Sequence, residues 1–143
     1  MIEISISANA ARQIQEIPEV DEFGWTSQVK DRIRDLIATE IGSWKPRSER
    51  GGSGVIKLCD AISSYCNADV YRLKSQREID DWRVFFFMLD RDIPPTRHVE
   101  EIVKWESNRQ CYDDMTQPHV KRILQAITRF KNADRMRLMR NYN

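Results

Sequence analysis

The spacing of apolar residues predicts an α+β chain, and three stretches carry that reading. Residues 2 to 7 alternate apolar and polar, residues 11 to 37 repeat at helical spacing, and residues 55 to 89 fall into short apolar runs without a helical period. A basic amphipathic segment follows from Pro118. The 143 residues amount to one domain, residues 1–143. A chain of that size buries roughly two thirds of its unfolded surface, so its core needs neither disulfide nor metal.

Ile2, Ile4 and Ile6 alternate with Glu3, Ser5 and Ser7, the period of a strand with one buried face. Ala11, Ile14 and Ile17 share a helical face before Pro18, and Val29, Ile33, Leu36 and Ile37 share another before Gly42, which gives two helices. Residues 44–54 (WKPRSERGGSG) carry a proline, three glycines and four charges, and predict an exposed loop. Its GGSG lacks the following Lys-Ser or Lys-Thr of a phosphate-binding P-loop.

Val55 to Leu58 and Val70 to Lys74 are short candidate strands. Trp82 to Leu89 (WRVFFFML) would place Trp82, Val84, Phe86 and Met88 on one face and Arg83, Phe85, Phe87 and Leu89 on the other. Both faces are apolar except at Arg83, as in a central strand covered on both sides. Arg91 to Pro95 makes a turn. For Arg97 to Trp105, Val99, Ile102 and Val103 fit a helix capped by Thr96 slightly better than Val99, Glu101, Val103 and Trp105 fit a strand, in which Glu101 would be a misplaced acid. Pro118 suits the first position of a helix, and Val120, Ile123, Leu124, Ile127 and Phe130 form its apolar stripe, so a basic C-terminal helix is expected at 118–140.

The net charge of +1 hides an uneven distribution. Residues 1–45 carry 5 basic and 8 acidic side chains, residues 46–117 carry 11 and 13, and residues 118–143 carry 7 and 1. A cationic end of this kind attracts a polyanion or an acidic partner, or is a solvated helix end. No apolar run approaches the roughly 20 residues that span a bilayer, and residues 1–17 lack the pattern of a secretory signal. Cys59, Cys66 and Cys111 match no zinc-binding spacing. Reduced thiols in a cytoplasmic protein, with no membrane, metal or small-molecule cofactor, are the expectation.

Four segments together resemble one family. IEISISANAARQIQEIP is similar to the opening strand and first helix of the RelE/ParE toxin superfamily of type II toxin–antitoxin systems, and VKDRIRDLIATEI to its second helix. VIKLCDAISSYCNADVYRLKSQREIDDWRVFFFMLD is similar to the strands that carry its basic residues, and NRQCY to a motif in which a basic residue precedes a tyrosine. The resemblance covers about residues 1–112 plus the C-terminal helix. It implies a small antiparallel β-sheet with two N-terminal helices packed on it and a C-terminal helix, and it turns residues 97–105 toward a strand. The chain departs from the family's minimal length through residues 44–54 and its C-terminal extension. Glu106 stands where ribonuclease members often carry an arginine.

A metal-independent ribonuclease makes the ribose 2′-OH attack its own phosphate. The site needs a base for that hydroxyl, cations for the charge gained by the phosphorane, and an acid for the leaving 5′-oxygen. Arg72 and Lys74 lie two apart, hence on one face of a strand, and Arg83 can face them from the next; such crowding of cations favours a neutral lysine. By resemblance Lys74 is the base, Arg72 and Arg83 bind phosphate and stabilise the transition state, Arg109 supplies a further cation or proton transfer, and Tyr112 positions the nucleotide. The plainer readings are a solvated strand face for Arg72 and Lys74, an ion pair of Arg83 with Asp80 or Asp81, and packing for Tyr112.

His98 and His119 are expected at the surface. The acids Glu78, Asp80, Asp81, Asp90 and Asp92 are expected in charged turns. Trp82 and Trp105 are expected in the core, and Trp25 and Trp44 beside loops where a partner can touch them. The family implies a translation-inhibiting mRNA endoribonuclease, with mRNA and the ribosome as targets and a cognate antitoxin as partner. Its alternatives are a ParE-like gyrase poison and a catalytically inactive binding module.

Overall fold

The structure, a computed structural model, describes residues 2–44, 56–74, 79, 81–104 and 117–142. Its elements are β1 (Glu3–Ile6), α1 (Ala8–Gln15), α2 (Val29–Leu36, running on through a π-helical turn at Ile37–Ile41), β2 (Ile56–Leu58), α3 (Asp60–Cys66), β3 (Asp69–Leu73), β4 (Trp82–Met88), β5 (Thr96–Lys104) and α4 (Pro118–Tyr142). The strands form one sheet in the order β1-β5-β4-β3-β2. The pairings β2–β3, β3–β4 and β4–β5 are antiparallel, and β1 joins β5 in parallel. The fold is α+β, with helices on both faces of the sheet.

Alternation along the strands builds two cores. On one face Tyr71, Leu73, Val84, Phe86, Val99 and Ile102 meet Ala10 and Ile14 of α1 and Ile33 and Leu36 of α2. On the other, Val70, Phe85 and Phe87 meet Ile62 of α3 and Val120, Ile123, Ala126 and Ile127 of α4. This is why the WRVFFFM strand is apolar on both sides: β4 is central and covered twice. Ser7 caps α1 by accepting the amide of Ala10 at 3.0 Å.

The strand β5 overturns the helical count for residues 97–105 and shows why that count misleads. Phe85 pairs with Glu101 but Phe86 with Val99, so Glu100 is an extra residue, a β-bulge. The bulge resets the alternation. Val99 and Ile102 therefore face the same core although they are three apart, the spacing of a helix. Beyond Ile6 the strand β1 no longer covers β5, and α1 side chains take its place: Gln13 accepts the Ile102 amide at 2.7 Å and Asn9 donates to the Glu100 carbonyl at 3.0 Å.

Three further expectations need correction. Trp44 is buried, with its ring edge-on to Tyr71 at 4.3 Å and to Phe86 at 5.9 Å, so it is a core residue and not a loop-border platform. The histidines are buried as well. His98 stacks on Phe87 at 4.9 Å with Nε2 2.7 Å from Asp92, and His119 packs against Phe85 at 4.9 Å. Arg97, also buried, donates to the Trp44 carbonyl, and burial pulls its pKa below the usual guanidinium value. The helix α3 is an element that apolar spacing did not announce, since Ile62 is its one fully buried side chain. Residues 45–54 of the expected loop lie outside the described residues.

Candidate functional site

Strand register decides which basic residues meet. Arg72 of β3 pairs with Lys57 of β2 on one side and Phe85 of β4 on the other. Continuing that ladder by two residues sets Lys74, just past the end of β3, across from Arg83. Leu73 lies in the core under α1 and α2, as do Trp82 and Val84, so alternation turns Arg72, Lys74 and Arg83 to the opposite, α4-bearing face. Lys57, Arg72, Lys74 and Arg83 thus form a cationic corner where β2, β3 and β4 meet.

The corner is graded in exposure. Lys57 is exposed, Arg72 and Lys74 are half-buried, and Arg83 is buried, with Nη1 donating to the Trp82 carbonyl at 2.8 Å. A guanidinium held in this way has its direction fixed by the backbone. Phe85 is the apolar floor beside it, with His119 of the first turn of α4 packed on its ring. Among the predicted site residues, Arg72 and Arg83 lie on the same face of adjoining strands, with Lys74 just past the end of β3. Arg109 and Tyr112 lie outside the described residues, as do Glu106 and Asp80, while Asp81 is exposed.

An acidic counterpart adjoins the corner on β5. Glu101, opposite Phe85, is fully buried and accepts Arg122 Nε at 2.6 Å and Nη2 at 2.5 Å on one oxygen, and Gln13 at 3.3 Å on the other, where Asn9 also donates. The misplaced acid of the strand reading is therefore the tie between α4, β5 and α1. A buried carboxylate is tolerated when its lone pairs are taken up in this way. Sequence reasoning set His119 at the surface and did not single out Lys57 or this Glu101–Arg122 pair; the alternation of IKL and the basic face of α4 are the signals that could have found Lys57 and Arg122.

Its neighbour Glu100, at the bulge, behaves differently. Burial pushes its carboxyl above the ordinary range, aided by Glu101, while the Ser7 hydroxyl, Arg129 and Arg122 pull the other way. The folded state then holds this proton more tightly than the unfolded chain. Glu100 contributes stability below the ordinary carboxyl range near about pH 4, and loses it as pH rises through its folded value. Glu100→Gln is expected to match the wild-type melting temperature near pH 4 and to exceed it at pH 7. A variant that melts lower than wild type at pH 7 would contradict the assignment.

Elsewhere, a cavity of about 350 Å³ lies at the far end of β3 and β4, lined by Asp69, Asp90, Arg91, Lys131 and Asp134 among others. Its cations are engaged: Arg91 pairs with Asp134 at 2.7 Å, and Lys131 donates to the carbonyls of Cys66 and Asn67. The nearby Cys66 thiol is pushed up by burial, which disfavours the reactive thiolate. Among the described residues, no three His, Cys, Asp or Glu side chains gather as a metal site, and no helix is long and apolar enough to cross a membrane. Comparison with protein-family models, curated proteins and solved structures finds no match to this chain.

Proposed function

We propose that this protein is a metal-independent endoribonuclease of the RelE type, acting on mRNA in the cytoplasm and held in check by a cognate antitoxin. The reading is supported by the register that pairs Lys57 with Arg72 and Arg72 with Phe85, and by the extension of that ladder, which would bring Lys74 opposite Arg83. A scissile phosphate drawn into that corner meets three donors from two adjoining strands.

In this reading Lys74 is the base that takes the proton of the ribose 2′-OH while the 2′-oxygen bonds to phosphorus. The bond from phosphorus to the 5′-oxygen breaks, leaving a 2′,3′-cyclic phosphate and, once a proton is delivered, a 5′-hydroxyl. Arg72 and Arg83 hold the charge that accumulates on the phosphorane oxygens. Arg109 as proton donor and Tyr112 as nucleotide platform are carried from the family resemblance. The antitoxin and the ribosome follow from it too, with the basic α4 a suitable face for either.

The test is a translation extract supplemented with the protein, in which mRNA 5′ ends are mapped. Codon-spaced cuts that vanish with Lys74→Ala plus Arg83→Ala are the expected result. Intact message with stalled gyrase–DNA complexes would replace this reading with the gyrase-directed one.

A further inference from the structure

Two exposed apolar surfaces of opposite charge lie on different elements of the fold. The first is the connection between α1 and α2. Residues 16–28 contain Glu16, Glu19, Asp21 and Glu22 and no basic side chain. The connection is a built turn: Val20 and Thr26 form an antiparallel bridge, the Asp21 carboxylate accepts the amides of Phe23 at 2.9 Å and Trp25 at 3.0 Å, and the Asp21 amide donates to the Trp25 carbonyl at 2.8 Å. Gly24 supplies the left-handed residue, φ 84°. On this frame Phe23 and Trp25 stand 77% and 72% exposed, with Val20 beside them at 53%.

The second surface is the distal part of α4, beyond Phe130, the last of its side chains packed on the sheet. Met136, Leu138 and Met139 are each more than half exposed, and Arg135, Arg137 and Arg140 are exposed among them. At 3.6 residues per turn, Leu138, Met139 and Met136 fall within an arc of about 160°, with Arg135 inside it and Arg140 about 40° beyond its edge, while Arg137 lies on the opposite side near Asp134, its ion-pair partner. Aromatic rings held rigidly on one surface and flexible methionines with arginines on the other are the residue types enriched where proteins meet. Large apolar side chains displayed together are a binding surface in waiting.

We propose that copies of this chain bind one another, the acidic aromatic turn of one seated on the basic distal α4 of the next. Charge complementarity selects the occupant. Glu16 is shared with Arg12 and Glu19 with Lys30, so Asp21 and Glu22 beside the rings leave the turn net acidic. That charge repels a nucleic-acid phosphate backbone but attracts the arginines of α4, and the preformed turn loses little freedom on docking. The contact uses none of the residues of the cationic corner.

Sedimentation across a hundredfold concentration range tests it. The wild-type average mass is expected to rise above that of one chain, and to rise less in high salt. Phe23→Ser with Trp25→Ser, and separately Met136→Glu with Met139→Glu, should each remain at the mass of one chain. Because all four positions are exposed, both variants should keep the wild-type circular dichroism and melting temperature. An equimolar mixture of the two variants retains one intact turn and one intact helix, and is expected to associate again. Wild-type protein that stays monomeric throughout, variants that associate like wild type, or a mixture that fails to associate would each overturn the proposal.

Discussion

RNA cleavage is expected to fall by about 10²- to 10⁴-fold when Lys74 and Arg83 are both replaced by alanine, the range associated with losing a positioned base or a preorganised oxyanion donor. The β3–β4 ladder, which ends at Arg72 and Phe85, would set the two positions opposite each other if continued by two residues, so removing both empties the centre of the proposed corner. Lys57→Ala is the informative control. Lys57 is exposed and on the outer strand β2, so it adds long-range attraction without holding the reacting phosphate. Its loss is expected to raise KM and steepen no pH profile, with kcat close to wild type. Equal losses for Lys57→Ala and for the double variant would mean that the corner acts through bulk charge alone.

The second large effect concerns stability. Phe86→Ala is expected to cost about 3–5 kcal/mol, out of a total that for single domains is about 5–15 kcal/mol. Phe86 is fully buried at the middle of β4, stacked on Tyr71 at 5.5 Å and 23° and met edge-on by Trp44 at 5.9 Å. Truncation leaves a cavity walled by two large rings that have no room to collapse, since Tyr71 is itself anchored in β3 and its hydroxyl is so buried that its pKa is pushed up to about 12. Thermal melting should drop by about 10–20 °C. Phe23→Ala, at a residue 77% exposed, should leave it unchanged within about 0.5 kcal/mol. Because Phe86 faces α1 and α2, the variant that remains folded should retain its activity per molecule. A small change in stability for Phe86→Ala would place the core elsewhere.

What was legible in the residues and what was not divides along physical lines. β4 was legible because burial on both faces writes itself into the chain as an unbroken apolar run, and α1, α2 and α4 because each buries one stripe at helical spacing. Residues 96–104 were not, because the bulge at Glu100 changes the side-chain period within the strand. Trp44, His98 and His119 misled for another reason. Polar or loop-adjacent residues are assigned to solvent by default, whereas here each is buried by contacts from distant elements, such as Arg97 donating to the Trp44 carbonyl.

The candidate site follows the same rule. That Arg72 and Lys74 share a face is a property of spacing alone. That Arg83 lies beside them depends on the β3–β4 register, which spacing does not determine. Glu101 looked like an error in a strand because its explanation, Arg122, is on another element.

The central claim is that this cationic corner turns the ribose hydroxyl of RNA against its own phosphate. Product-end analysis after incubating programmed ribosomes with the purified protein, once cleavage has begun and under conditions in which divalent ions are restricted to those bound by the ribosome, tests it most directly. The account predicts 2′,3′-cyclic phosphate and 5′-hydroxyl ends that disappear with Lys74→Ala plus Arg83→Ala. Ends bearing 5′-phosphate, or cyclic ends that persist in the double variant, would contradict it.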